Sequence, residues 1–481
     1  MHRLTIFYSL FAILFAFGSC SDAKSKKQEI KKTTDPWSII AQVEDSIGTI
    51  KFPNTTVNIL DFGAIGDGKT NNTEAFRKAI VACAKQLGGK VIVPAGKFLT
   101  GAIHLEDNIN LHLEENSEIL FSTNPDDYLP LVHTSFEGTE YMNFSPLIYA
   151  YQKKNIAITG KGTLNGQANN QNWWSWCGKE EYGWKKGMPS QAEEGNRDRL
   201  VQLAEDNVPY NERIFGKGYY MRPNFIEPFE CEKVLIEGIT IINAPFWIIH
   251  PIKCKNILVD GVTIQSHGPN NDGCDPEYSK NVIIRNSTFN TGDDCIAIKS
   301  GRDADGRRVA IKSENIIVQN CKMIDGHGGV VLGSEVSAGV SNVFVEDCQM
   351  NSPNLDRAIR LKSNSKRGGL LENIYVRNLE VGTVREAVLK IDMFYNAWGN
   401  QTGNFIPEVR NIYLENVKVK NGGFYAIQAK GHKELPIKNI TLKNVVIEKV
   451  DEKFSRFSIS PDENNNVILR DNNSYLHDNV D

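Results

Sequence analysis

Two carboxylates stand side by side in Gly292-Asp293-Asp294-Cys295, at the mouth of an apolar run, Ile296-Ala297-Ile298. Two more lie upstream in Asn270-Asn271-Asp272-Gly273-Cys274-Asp275, and downstream come Gly326-His327-Gly328 and Arg360-Leu361-Lys362. Crowded carboxylates repel, so at least one keeps its proton near neutral pH while another stays ionised and can deprotonate water. An acid beside a base is the equipment for splitting a glycosidic bond. An isolated acid pair is more often just a solvated turn. Chemistry follows only if the chain brings the four stretches together.

The elements that would do so are visible as a repeat. It runs through "EKVLIEGITI" (232–241), "KNILVDGVTI" (255–264), "KNVIIRNSTF" (280–289), "ENIIVQNCKM" (314–323), "SNVFVEDCQM" (341–350), "ENIYVRNLEV" (372–381), "RNIYLENVKV" (410–419) and "KNITLKNVVI" (438–447). Copies follow at roughly 23 to 38 residues, a solenoid period. The β-branched residues alternate with period two between Gly, Asn and Asp punctuation, so each copy reads as short strands and turns. No copy can bury its apolar side alone, and stacking into a right-handed parallel β-helix supplies the core. The helical pattern in "NTEAFRKAIVACAKQLGG", with Phe76, Ile80 and Cys83 on one face, predicts a short helix capping the N-terminal end.

Stacked coils turn sequence distance into contact, because equivalent residues lie about 4.8 Å apart. Asp272 and Asp293 are 21 residues apart, as are Cys274 and Cys295, so both pairs are expected to stack. The next coils add His327, then Arg360 and Lys362, which share a strand face. Asp293 and Asp294 would point to opposite faces of an extended strand, and Gly292 permits the bend that lets them share a cleft. Lys299, Arg302, Arg307 and Arg308 follow the acid pair and read as a local basic patch suited to a polyanion. The region from about residue 123 to 222 is different, with long loops around Trp173, Trp174, Trp176 and Trp184 and one recognisable coil, "KNIAITGKGTLNG". Those tryptophans either pack the loops or offer a sugar platform.

The 481 residues are 41% hydrophobic and 23% charged, enough for a large core, and a formal charge of −4 gives no basic field for nucleic acid. Of nine cysteines, Cys231 and Cys254 share a repeat position, as do Cys321 and Cys348, which predicts interior thiol ladders; the spacing forms no metal motif. At the N-terminus, His2 and Arg3 precede an apolar run from Leu4 to Phe17 that is short for a membrane span and suits a signal peptide. "FGSC" resembles a bacterial lipoprotein box with Cys20 as the lipidated residue, so the expected protein is exported, touching the membrane only through that lipid, as an outer-membrane or periplasmic lipoprotein or else a secreted one. The expected organisation is a signal peptide over 1–20, a flexible tether over 21–50, a β-helix over 51–450 and a tail over 451–481, acting as a monomer.

Taken in order, "NNDGCD", "GDD", "GHG" and "RLK" resemble the four motifs of the polygalacturonases, glycoside hydrolase family 28, and the likeness runs from "NILDFGAIGDG" to about residue 450. Asn271 replaces the family's usual Thr. The resemblance implies that Asp293 is the general acid, that Asp272 and Asp294 activate the water, and that His327 supports the acid. It also implies that Arg360 and Lys362 bind a uronate carboxylate and that the reaction inverts the anomeric centre. Asn271, Lys299 and Arg302 are further expected substrate contacts, and no cofactor or metal is expected. The long loops and "GDDCIAIKSGRDADGRR" resemble the bacterial exo-acting members. Two other classes fit a β-solenoid: a calcium-dependent pectate lyase, and an adhesin that binds polysaccharide without cutting it.

Overall fold

The computed structural model describes residues 35–399 and 401–451, together with the backbone of 457–460 and 470–472. Each coil runs through up to three short strands, and every strand pairs in parallel with its equivalents in neighbouring coils. One face is built from Glu232–Glu237, Lys255–Asp260, Lys280–Arg285, Ser313–Gln319 and Val340–Glu346, and places Val234, Ile257, Val282, Ile316 and Val343 in register. A second face carries Thr240–Ile242, Thr263–Ser266, Thr288–Thr291 and Lys322–Asp325. The third joins Ile296–Ile298, Val330–Leu332, Arg357–Lys362, Ala387–Asp392 and Tyr425–Lys430. The fold is the expected parallel β-helix, and its alternate aliphatic residues fill one continuous interior.

The polar letters of the repeat have a backbone cause. Asn256, Asn281, Asn315, Asn342, Asn373, Asn411 and Asn439 all sit at a φ between 57° and 62°, a left-handed turn that Asn tolerates better than other side chains. From Asn281 onward each amide donates to the Asn one coil before it, at 2.9 to 3.1 Å. The second turn of the coil repeats the device with Gly238, Gly261, Asn286, Asn320, Asp347, Asn378, Asn416 and Asn444, all at positive φ. A neutral hydrogen bond is worth about 1 kcal/mol net, so these ladders fix the stacking register while the apolar interior drives it. Cys231, Cys254, Cys321 and Cys348 are buried free thiols, and the Cys231 amide donates to the sulfur of Cys254 at 3.3 Å, as the ladder reading expects.

Helix α1 (Ile39–Ile47) lies inside the segment expected to be a tether and buries Val43 and Ile47, because its apolar face lies on the strands Lys255–Asp260 and Lys280–Arg285. Helix α2 (Thr73–Ala84) is the predicted cap; it buries Phe76, Ile80 and Cys83 against the first strands, Thr56–Asn58 and Gly89–Val93. At the other end, the expected tail contains Phe457–Ser460 and Arg470–Asn472, which pair onto the last coil and extend the solenoid. The proposed signal peptide and Cys20 lie outside the described residues. Between the coils at 154–165 and 226–242 the chain makes a long excursion that contains helix α3 (Arg197–Glu205). It follows an antiparallel hairpin, Val132–Phe136 with Thr139–Asn143. These two features, with the segment 393–399, rise over the third face where the acids stand.

Candidate active site

Asp272, Asp293 and Asp294 come together as expected, with one carboxylate oxygen from each within 4.8 Å of the others. The register is one residue longer than the 21-residue step: Cys274 bridges Ile296, and the Gly273 amide donates to the Asp294 carbonyl at 3.0 Å. Asp272 therefore faces Asp294 across the coils, and Asp293 stands at the bend in front. The bend closes tightly, since a Cβ on Gly292 would lie 2.5 Å from the Gly268 carbonyl. Asp293 keeps 20% of its side chain exposed, whereas Asp294 is wholly buried behind it.

His327 Nδ1 lies 2.9 Å from Asp293 Oδ1, and its backbone amide donates to the Asp293 carbonyl at 3.1 Å. The flanking glycines are sterically required. A Cβ on Gly326, at φ 149°, would meet that same carbonyl at 2.5 Å, and one on Gly328 would sit 3.2 Å from Asp294 Oδ1. Arg357 braces the loop by donating to the His327 carbonyl at 3.0 Å.

Cations distribute the charge unevenly. Lys362 donates to Asp294 Oδ2 at 2.6 Å, and Arg360 reaches Asp294 Oδ1 at 3.7 Å. Lys299 lies 3.6 Å from Asp272 and 3.1 Å from Glu335, and its ammonium sits 4.5 Å from the centre of the Trp247 ring. Burial, followed by the charge on Asp293, pushes Asp272 well above the ordinary carboxylate value. Burial also acts to raise Asp293, but the His327 charge and hydrogen bond, with Lys362 and Lys299, outweigh it and bring that carboxyl down. Asp293 in turn lifts His327 to about 9. The directions of these shifts favour a proton on Asp272 over one on Asp293, and an Asp293 carboxylate facing an imidazolium.

These residues open into a cavity of about 390 Å³. Its lining includes the carboxylates of Glu137, Asp272, Asp293 and Glu335, and the cations Lys179, Arg197, Lys299, His327, Lys362 and Arg367. The surplus of cationic groups sits where a polyanion would enter, even though the chain as a whole is slightly acidic.

Three expected substrate contacts are placed elsewhere. Asn271 is fully buried: its carbonyl accepts from Ser266 and from the Gly268 amide at 2.6 and 2.9 Å, and its NH₂ reaches the Ala244 carbonyl at 3.2 Å. It ties the turn that carries Asp272, and the neighbouring Asn270 lines the cavity. Arg302 lies behind the wall, 2.9 Å from Glu137 and 4.0 Å from the Trp398 ring centre. Arg360 is absent from the lining, and its guanidinium lies 3.7 Å from Asp294, where it offsets the charge of that buried carboxylate. Arg307 and Arg308 also leave the expected patch and hold carbonyls of Lys366 and Ala204. The tryptophans of the excursion pack its interior: Trp173 is buried, Trp176 lies 4.7 Å from it, and Trp174 and Trp184 donate to backbone carbonyls.

Trp247, Glu335, Arg367, Tyr395 and Trp398 line the cavity without having been read from the sequence. Each lies in a connection between strands, outside the repeat whose spacing made the other residues legible. Beneath Trp247, His250 is enclosed by Glu227 at 3.4 Å and Glu277 at 2.9 Å. Burial opposes charge on this imidazole, but the two glutamates override it and hold its pKa above the usual value. A buried ionic post thereby supports the cavity floor.

A parallel β-helix bearing clustered aspartates, a histidine and lysines on one face defines a glycoside hydrolase of the solenoid class. Residues 215–463 match the family described as "Glycosyl hydrolases family 28", and the chain belongs to that family. Residues 56–113 also match a second description, "Rhamnogalacturonase A/epimerase, pectate lyase-like". The structure is similar to a hyperthermoactive exopolygalacturonase from Thermotoga maritima, with 44% identity and a TM-score of 0.83 over 86% of this chain and 92% of that one. An exo-poly-alpha-D-galacturonosidase of Dickeya chrysanthemi is 27% identical over 84% of this chain and 71% of its own length. A probable polygalacturonase of Vitis vinifera is 28% identical over 82% and 74%.

Proposed function

We propose that this glycosidase is an exo-acting polygalacturonase that hydrolyses α-1,4-galacturonosidic bonds at the end of a galacturonan chain. The observation that carries this reading is the cavity, where the acid cluster and a surplus of cations are closed off on one side. Trp398 lies 3.9 Å from the Arg197 guanidinium, and its indole N–H donates to Glu137 at 3.0 Å. Three separate segments therefore meet across the groove, and a polymer threading through it would collide with them. The likeness to exopolygalacturonases supports the same conclusion.

In the proposed reaction Asp293, the most accessible of the three acids, protonates the glycosidic oxygen, and Asp272 with Asp294 orders and deprotonates the attacking water. The resting proton on Asp272 must therefore shift to Asp293, a step between oxygens of one cluster whose titrations are coupled. Once Asp293 is neutral, the main like charge that raised Asp272 is gone, and Lys299 favours the Asp272 carboxylate against the burial that remains. Lys362 and Lys299, which face the cavity, are the proposed contacts for the uronate carboxylate. Inversion is what the family resemblance implies. The 4.8 Å cluster is tighter than the roughly 6.5 to 9.5 Å common in inverting enzymes. That rule measures two carboxyls on opposite sides of a sugar ring, whereas these three stack on one face of a solenoid.

A calcium-dependent lyase would use the same three carboxylates as ligands, but Lys362 and His327 already occupy oxygens of Asp294 and Asp293. The deciding experiment is product analysis on de-esterified galacturonan, rhamnogalacturonan and methylated pectin. Stepwise release of short saturated galacturonides from the first, indifferent to chelator, is expected. An unsaturated, UV-absorbing product lost on adding chelator would overturn hydrolysis, and binding without any released reducing sugar would mean an adhesin. Export with a lipid on Cys20 is likewise proposed from the N-terminal residues.

A further inference from the structure

Most cations of the cavity are already engaged. Lys362 donates to Asp294, Lys299 to Glu335 and the Gly333 carbonyl, and Arg367 to Asp303 and Glu335; His327 meets Asp293. Lys179 projects into solvent, with 65% of its side chain exposed. Among the described cations that line the cavity, Arg197 is the exception. Only 18% of its side chain is exposed, its Nε is buried with no acceptor, and its nearest carboxylate, Asp198, is 3.6 Å away. Its guanidinium lies 3.9 Å from the centre of the Trp398 ring, held in place by a contact that uses none of its N–H donors.

A poorly hydrated guanidinium that faces a cavity with its donors unspent is an unfilled site for a planar anion, and a carboxylate fits it in two-point fashion. Resting on the galacturonan reading above, we propose that Arg197 binds the carboxylate of the terminal uronate at the closed end of the cavity. Trp398 is the positioning residue that holds it. The same pair would then do two things: it blocks the groove, and it rewards a chain end that stops against the block. Both residues lie outside the repeat, Arg197 on α3 and Trp398 in the segment after the strand Ala387–Asp392.

The test uses the full chain and trigalacturonate, beside two trimers in which the carboxyl of one or the other terminal sugar is reduced to the neutral alcohol. For Arg197→Gln the loss on trigalacturonate should fall mainly on KM, rising about 10- to 100-fold for one charge-assisted contact. One of the two end-reduced trimers should show almost no further loss from the substitution, and that trimer identifies the end held by Arg197. Arg197→Lys should recover part of the affinity. Equal losses on all three trimers, or an unchanged KM on trigalacturonate in a variant that unfolds like wild type, would overturn the proposal. Failure of the wild-type enzyme to cut any of the three would instead refute the galacturonan reading itself. Trp398→Ala guards against a purely local effect of position 197: it should raise KM for trigalacturonate while sparing the same end-reduced trimer. Loss without that discrimination would also overturn the proposal.

Discussion

Lys362→Met isolates the charge pair that lies deepest in the site. The ammonium is 2.6 Å from Asp294, and 7% of the Lys362 side chain and none of Asp294 is exposed. At that distance and an effective dielectric of about 20, the direct attraction is roughly 6 kcal/mol. Most of it offsets the desolvation of two ions, so the pair itself adds little net stability; removing one partner is what costs, typically about 3 to 5 kcal/mol. Arg360, 3.7 Å from the other oxygen of Asp294, retains part of the compensation. A loss of about 3 kcal/mol is therefore expected. Asp294 raises the pKa of Lys362 against the opposing effect of burial, so the contribution is complete below the ordinary lysine value and an assay near pH 7 reads all of it. The measurement is guanidinium unfolding of wild type, Lys362→Met, Asp294→Asn and the double variant, read as a double-mutant cycle. The double variant should regain most of the stability lost by Lys362→Met while both remain inactive. A loss below about 1 kcal/mol in Lys362→Met, or a double variant no more stable than it, would refute the reasoning that Lys362 compensates the buried Asp294 carboxylate.

Asp293→Asn should cost about 10²- to 10⁴-fold in turnover with little change in unfolding, because it removes a proton donor from a cavity wall, and retention of most activity would refute the acid assignment. His327 is lifted to about 9 chiefly by Asp293, so the stabilisation of their pair is complete below about 6.5 and is lost as pH rises through about 9. An NMR titration of the ring should therefore show its pKa falling toward about 6.5 in Asp293→Asn, and kcat/KM of the wild type should decline as pH passes about 9. Arg360→Gln should lower kcat/KM equally on acid and methyl-ester oligomers, since its guanidinium faces Asp294; a loss confined to the acid substrate would return it to the sugar. Cys20→Ala should move the protein from the membrane fraction to the soluble one or block its maturation, and unchanged fractionation would refute the lipid anchor.

Period-two alternation, with Asn, Asp or Gly at a fixed place in each copy, determined the β-helix by itself. Those residues are cheap in a left-handed turn, and the turn recurs wherever the coil must bend. The chemistry was equally legible, because stacking converts spacing along the chain into neighbourhood and needs no further information to bring Asp272, Asp293, His327 and Lys362 together. The tertiary structure decided the rest. It set Asp272 opposite Asp294 by backbone pairing, one residue away from the step that matching cysteines suggested. It turned Arg360 inward to a buried carboxylate, and Arg302 and Asn271 into supports, since a buried polar group takes the nearest complementary partner and no sequence pattern reports that distance. It also brought Trp398 to Glu137, 261 residues away, and onto Arg197. These contacts join loops with no shared period, and only the packing of the folded chain brings them within reach.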